Sequence, residues 1–408
     1  MENQASLSVA GSSGAERLRA LPKPRAAKAI IRHRAQARVF IERLLAQAGI
    51  KLGGSNPWDM RVHDERMFDR VIAEGSLGLG EAYMEGWWDC AELDEFFHRI
   101  VAARLDKKIR LSLDLVWLAL RSKLQNLQNQ ARVWRAAEVH YNLPLEIFEA
   151  TFDTRLTGSC GYWATARDLD AAQDAKLDLV CRKIGLQQGV GGSLRVLDIG
   201  CGWGAFMGFA AEKYGVSCVG VTISEEQQKY AMKRYRGLPV ESRLQDYRDF
   251  NEPVDHAVSM GMFEHVGSKN YRTYFEMVRR CLKPGGLFVL HTIWANLRSS
   301  HIDPWLDKYI FPNGVLPTVG QIADATEGLF VIEDAHNFGA YYDDTLMAWN
   351  RKFQSNRAKI ASAFGEQFCR MWEYYLLCCA GGFRSRGISV GQFVLSPTGV
   401  RGVYQAVR

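Results

Sequence analysis

The chain has 408 residues, enough for two compact domains or one enlarged one. Hydrophobic residues make up 47% and charged residues 24%, which excludes a disordered or fibrous chain. Net charge is +6, from 51 Lys and Arg against 45 Asp and Glu, so neither a strongly acidic nor a strongly basic protein is at hand. The nine cysteines show no C-x-x-C spacing; no metal site or disulfide scaffold is expected, and a reducing cytoplasm fits. No signal peptide is read. The most apolar runs, such as Leu111–Leu120, are too short to span a bilayer, so any membrane contact is expected to be peripheral.

In chain order, residues 1–35 read as a basic flexible leader. Arg17 to Arg43 carries nine basic residues and one acid, Glu42, and would be drawn to a polyanion such as an anionic lipid surface. Nucleic acid is not expected, because no aromatic residue is interleaved with these charges before Phe40. From Gln36, apolar residues at helical spacing (Ala37, Phe40, Ile41, Leu44, Leu45, Ala48) predict a helix stopped by Gly49. A second helix is predicted from an Asp64 cap, burying Met67, Phe68, Val71 and Ile72 and ending near Gly75; a third runs from Asp94 to Leu105. Residues 36–120 thus read as a small, mostly helical domain, 121–139 as a linker, and 140–408 as a second domain.

The second half alternates apolar strands (194–199, 217–221, 240–244, 254–260, 287–293) with helical patterns, which predicts an α/β fold with a parallel sheet. In the tail, 391–394 and 402–407 around Ser396-Pro-Thr-Gly399 read as a closing hairpin. Two segments exceed a minimal fold of this type. One is Trp294–Val319. The other is an aromatic helical stretch, Asp344–Cys379, read either as core or as the wall of an apolar cavity.

The most informative segment is Arg195-Val-Leu-Asp-Ile-Gly-Cys-Gly-Trp-Gly204. A buried strand, a turn of three glycines and a helix start make a nucleotide-type site. A dinucleotide site wants an acid at the end of the next strand, and here Gly220-Val-Thr-Ile-Ser224 supplies none before Glu225. The motif alone therefore favours an S-adenosylmethionine (SAM) pocket over a structural glycine turn or another nucleotide.

Further stretches carry a resemblance: EGSLGLGEAYMEGWWD (74–89), SCGYW (159–163), VLDIGCGWG (196–204), VGVTISEEQQ (219–228), LQDYRDF (244–250), GMFEHVG (261–267), LHTI (290–293), DPWLDKYIFPNG (303–314), HNFGAYYDDTLMAW (336–349) and AGGFR (380–384). With these the chain resembles the bacterial cyclopropane-fatty-acyl-phospholipid synthases, relatives of the mycolic acid cyclopropane synthases. The resemblance implies a SAM-dependent methyltransferase fold with helical insertions and a mostly helical N-terminal domain. It implies methyl transfer from SAM to a cis double bond of an unsaturated phospholipid in the membrane, followed by proton loss and ring closure. The proton acceptor would be a bound bicarbonate.

Carried over residue by residue, the bicarbonate site comprises Cys160 and Ile293 through their backbone amides, with Glu264, His291 and Tyr342. Cys379 matches a cysteine also assigned to the site, although YLLCCAGG reads as apolar and a buried thiol is inert. For SAM, Asp198, Gly200, Gly202 and Gly204 would face the methionine end and Ser159 its carboxylate. Thr222, Ser224 and Gln227 would serve the ribose, and Gln245, Asp246 and Tyr247 the adenine. The resemblance further implies a homodimer, and a cytoplasmic enzyme held at the inner face of the membrane. Departures are Gly158, where the family usually has an aromatic residue, and His140–Glu146, where it has an acidic element. Alternatives are methyl branching without ring closure, and a catalytically silent lipid-binding relative.

Overall fold

The computed structural model describes residues 24–105, 143–189 and 192–408. The leader up to residue 23, residues 106–120 of the helical segment and the linker 121–139 lie outside the described residues, as do residues 140–142. Helix α1 (Pro24–Ala46) begins inside the stretch expected to be a flexible leader. Pro24 sits in the first turn, where a missing N–H costs no hydrogen bond, and the alanines that follow favour the helix.

Next come a two-residue strand β1 (Arg61–Val62), α2 (Arg66–Glu74), α3 (Ser76–Met84), β2 (Trp88–Asp89) paired antiparallel with β1, and α4 (Leu93–Ala102). The N-cap of α2 is Glu65 rather than the expected Asp64, which stands one residue earlier and accepts from the Arg66 amide at 2.9 Å; Gly75 ends the helix at φ +61°. Met67, Phe68 and Val71 are buried, but Ile72, expected with them, is 42% exposed. It stands one position round the helix from Val71, outside the stripe that α1 and α3 cover. Short α5 (Leu145–Glu149) and α6 (Leu169–Lys183) lead into the sheet.

The sheet has seven strands: β3 (Arg195–Ile199), β4 (Ser217–Thr222), β5 (Val240–Leu244), β6 (His256–Met260), β7 (Phe288–Ala295), β8 (Val331–Asn337) and β9 (Ile388–Ser396). Their order is β5-β4-β3-β6-β7-β9-β8, with β3 to β7 parallel and β9 antiparallel to both its neighbours. Side chains alternate between two cores. Val196, Val258, Val289 and Val394 pack toward α6 and α7 (Ala205–Tyr214). Leu197, Phe288, Leu290 and Phe393 pack toward α9 (Tyr271–Cys281) and α11 (Val319–Thr326). Helices α8 (Glu225–Arg234) and α10 (Pro304–Tyr309) complete the connections.

The expected tail hairpin is corrected. The antiparallel partners of β9 are β7 and β8, both earlier in the chain, and no strand follows Ser396. β8 is an edge strand with a largely exposed face, so its sequence lacks apolar alternation. The tail is tied down by side chains instead: Tyr404 Oη donates to the Lys183 carbonyl at 2.9 Å, and Arg408 pairs with Asp334. The aromatic stretch is helical as expected and is divided into two helices, α12 (Tyr341–Phe364) and α13 (Glu366–Arg384), broken at Gly365 with φ +84°. The third core is continuous from Ala37, Phe68, Trp88 and Phe96 of the N-terminal helices into Trp349, Phe353, Tyr374 and Leu376 of this pair.

Candidate active site

Chain order reverses between β3 and β6, the switch point at which open α/β sheets bind ligands beyond the carboxyl ends of their strands. Both strands end in glycines at positive φ, Gly200 at +79° and Gly261 at +69°. Above them lies a cavity of about 1690 Å³, against roughly 300–1,000 Å³ for an ordinary small-molecule site. It has room for two ligands.

One end of the cavity is polar. Ser159, Asp198, Gly200, Gly202, Thr222, Ser224, Gln227, Gln245, Asp246 and Tyr247 all line it. Gly204 does not; at φ +84° it starts α7, where an added Cβ would meet Ala231 and Tyr235. Its role is packing. Several of the polar side chains are already engaged. Thr222 Oγ1 donates to Gln227 Oε1 at 2.9 Å, Ser224 Oγ caps α8, and the buried Asp246 carboxylate is held by Arg248. Burial raises the Asp198 carboxyl to about 7, against a lowering pull from Lys176.

Lys176 was not singled out from the sequence. It is fully buried in α6, and its Nζ donates to Ser159 Oγ at 2.7 Å. Because an ammonium only donates, the Ser159 hydroxyl accepts there and its own hydrogen is free to point into the cavity. The available signal was a lysine at helical spacing with the apolar residues Ala172, Leu177 and Val180.

Deeper in, Glu264, His291, Ile293 and Tyr342 line one wall. Glu264 sits in a single turn (Phe263–His265) after β6, and its Oε1 accepts from the Ile293 amide at 2.7 Å. The Ile293 N–H is therefore engaged by Glu264. Burial raises the Glu264 carboxyl to about 7, and Oε2 is buried without a protein partner among the described residues.

Met260, His291, Gln392 and His336 lie abreast across β6, β7, β9 and β8. Gln392 Nε2, which only donates, lies 3.4 Å from His291 Nδ1. Burial, then Lys176 and Lys183, drives the imidazole well below its ordinary pKa. The neutral ring must thus carry its hydrogen on Nε2, itself buried with no described partner. An unpaired acceptor and an unpaired donor share one wall. Gln392, a fully buried amide within an otherwise apolar strand, is the second residue the sequence reading missed.

Cys160 is buried and does not line the cavity; its thiol donates to the Gly161 carbonyl at 3.2 Å. Cys379 lines the cavity beside Cys378, whose thiol burial and the adjacent sulfur push well above its ordinary range. Gly158 lines the cavity, and the ring of Phe152 comes within 3.3 Å of the Cβ it lacks.

Away from the polar end and its mouth, the cavity is walled mainly by apolar and aromatic side chains. Val71, Leu79, Phe97, Ile100 and Val101 come from the N-terminal helices, and Trp372, Tyr374, Tyr375 and Phe383 from α13. The aromatic stretch thus divides: α13 walls the cavity, whereas Trp349 and Phe353 of α12 are core. Exposed lining lies in two places, Gly158 with Gly261 at the polar end, and Ala102, Arg104, Asn296, Leu297, Arg386 and Gly387 at the apolar end; Asp303 is the remaining exposed lining residue.

Comparison with known proteins follows this geometry. Residues 128–393 match the model of the mycolic acid cyclopropane synthetase family. The chain is 49% identical over 365 residues to the cyclopropane-fatty-acyl-phospholipid synthase of Escherichia coli (strain K12), covering 90% of this chain and 94% of that one. It is 34% identical over 382 residues to the tuberculostearic acid methyltransferase UfaA1 of Mycobacterium tuberculosis, covering 86% and 87%. Among solved structures, mycolic acid cyclopropane synthase CmaA1 complexed with SAH and CTAB superposes with a TM-score of 0.59 at 31% identity, covering 64% of this chain and 97% of that one. The chain belongs to the mycolic acid cyclopropane synthetase family, as an enzyme with the SAM-dependent methyltransferase fold and a cyclopropane-fatty-acyl-phospholipid synthase among its relatives.

Proposed function

We propose that this enzyme methylates a cis double bond in an acyl chain of an unsaturated membrane phospholipid and closes a cyclopropane ring. The observation that carries this reading is the joining, in one cavity, of the glycine turn with an apolar channel. The CmaA1 complex, with SAH and CTAB bound, supports it. SAM supplies an electrophilic methyl group. One alkene carbon bonds to that carbon, the sulfonium leaves as the neutral thioether, and the substrate loses one proton as its ring closes.

Gly200 and Gly202 let the backbone approach the donor, and Ser159 offers it a hydroxyl hydrogen. The rings of Trp203, Trp372, Tyr375 and Phe383 line the cavity; they exclude water and present π faces to positive charge on the substrate. Bicarbonate supplies the base. Glu264 Oε2 would accept its hydroxyl hydrogen, and His291 Nε2–H and the Tyr342 hydroxyl would donate to its oxygens. The unpaired acceptor and donor fit such a group; the engaged Ile293 amide and the buried Cys160 would contribute only after local rearrangement.

The reading extends to a homodimer held peripherally at the inner membrane face, with residues 36–120 as the lipid-docking part. No helix among the described residues is long and apolar enough to cross a membrane.

Incubation with methyl-labelled SAM and vesicles of cis-monounsaturated phospholipid is expected to place label in the lipid, with upfield cyclopropane protons in the NMR spectrum. Donor binding without lipid label would overturn the reading, and label without upfield protons would redirect it to methyl branching. Lys176→Met, which strips the partner from Ser159 Oγ, is expected to weaken S-adenosylhomocysteine binding roughly tenfold by calorimetry, since a hydrogen bond from a charged donor is lost. The same substitution should leave methylthioadenosine, which has no carboxylate, bound as before.

A further inference from the structure

The apolar end of the cavity opens where two helices finish. Helix α4 ends at Ala102 and α13 at Arg384, and the second residue beyond each is an arginine in the left-handed region, Arg104 at φ +54° and Arg386 at φ +59°. That position normally takes Gly or Asn, because a Cβ there is strained. The same costly choice is made at both helix ends that frame the opening.

The two ends touch: a Cβ added to Gly387 would lie 2.9 Å from Val101 Cγ1. Asn296 fixes the second end, its Nδ2 donating to the Arg386 carbonyl at 3.0 Å. Both arginines are exposed cavity-lining residues, and neither has an ion-pair partner among the described residues. Nearby carboxylates are committed elsewhere. Asp94 and Glu95 pair with Arg384, and Asp303 accepts from the Trp305 and Leu306 amides. Beside the arginines, Leu297 is 62% exposed, an apolar side chain set next to two cations that have no ion-pair partner among the described residues.

We infer that Arg104 and Arg386 form a binding site for the phosphodiester of the phospholipid headgroup, at the mouth through which its acyl chain enters. The inference rests on the reading of the cavity as an acyl channel and adds to it the group that registers the chain. A phosphate held at the mouth fixes how far the chain descends, and so which carbons reach Glu264 and His291. Leu297 would meet the glycerol-proximal methylenes.

The test compares Arg104→Asn, Arg386→Asn and the double variant, asparagine being a side chain the left-handed backbone accepts. Two substrates are presented in neutral detergent micelles: a cis-monounsaturated phosphatidylcholine, and the methyl ester of the same fatty acid, which has no phosphate. The expected result is a fall in kcat/KM on the phospholipid of roughly tenfold for each arginine, with the methyl ester unaffected. A control pair of exposed cations far from the mouth, Lys213→Gln with Arg401→Gln, should match wild type on both substrates. Equal losses on ester and phospholipid, no loss at all, or the same loss in the control pair would each overturn the headgroup site. A wild-type enzyme that binds S-adenosylhomocysteine but methylates neither substrate would overturn the channel reading first, and the site with it.

Discussion

Glu264→Gln is expected to lower turnover by roughly 100-fold or more without weakening S-adenosylhomocysteine binding. The substitution is nearly isosteric, and Oε1 can still accept from the Ile293 amide, so the turn after β6 keeps its place. What changes is the second position, where an unpaired acceptor becomes an N–H2 donor. A site needing an acceptor there loses it, and its free donor on His291 gains a competitor.

The pH dependence has a definite sign. With the Glu264 carboxyl raised to about 7, wild-type activity should climb through neutral pH as the acceptor form appears, and the residual activity of the variant should lack that limb. Stability runs the other way. The folded-state value lies above the ordinary 4.5, so the folded protein holds the extra proton between the two, and this contribution to stability is lost as pH rises through about 7. The variant should therefore gain thermal stability relative to wild type above pH 7, read by melting at pH 6 and pH 8. A variant that keeps its activity, or that loses the donor site along with it, would remove Glu264 from the chemistry.

The second large effect is on stability. Gly381, the first glycine of the AGGFR stretch, lies where α13 crosses α4, and a Cβ there would stand 2.5 Å from the His98 amide nitrogen and 2.6 Å from the Asp94 carbonyl oxygen. Both are backbone atoms, which cannot rotate aside. Gly381→Ala should cost about 1–3 kcal/mol or more through forced separation of the helices, seen as a lower melting midpoint in urea and heat. Since the two helices also frame the apolar end of the cavity, activity should fall further than the folded fraction. Gly382→Ala makes the contrast: its added Cβ meets only Ile388 Cδ1 at 3.8 Å, an ordinary contact, and should be tolerated.

How much of this was legible in the sequence depends on whether a signal is local. The parallel strands were read almost to the residue, because all but the edge strand β5 (Val-Glu-Ser-Arg-Leu) are mainly apolar runs bounded by turn residues. The glycine turn was legible for the same reason. The tail was misread because β9 is paired by a strand 57 residues earlier that carries Glu333, Asp334 and His336; a solvated edge strand has no apolar period to detect. The break at Gly365 was missed because one glycine inside a long helical pattern reads as tolerable until its φ is known.

In the site, Glu264, His291 and Tyr342 were nameable by resemblance, but the groups that set their chemistry were not. Gln392 reaches His291 only through the register of β7 on β9, and Lys176 reaches Ser159 from a helix 17 residues on. Nor does a period show that residues 71–101 line the same cavity as residue 291. That fact belongs to the packing of α4 on α13.

The two separate openings have a kinetic corollary. On the reading proposed above, a water-soluble donor and its spent product would pass through the gap at Gly158 and Gly261 while the other mouth faces lipid. An enzyme seated in that way need not let go of the bilayer between cycles: it would reload from the aqueous side and slide to the next chain, working along a surface rather than hopping between them.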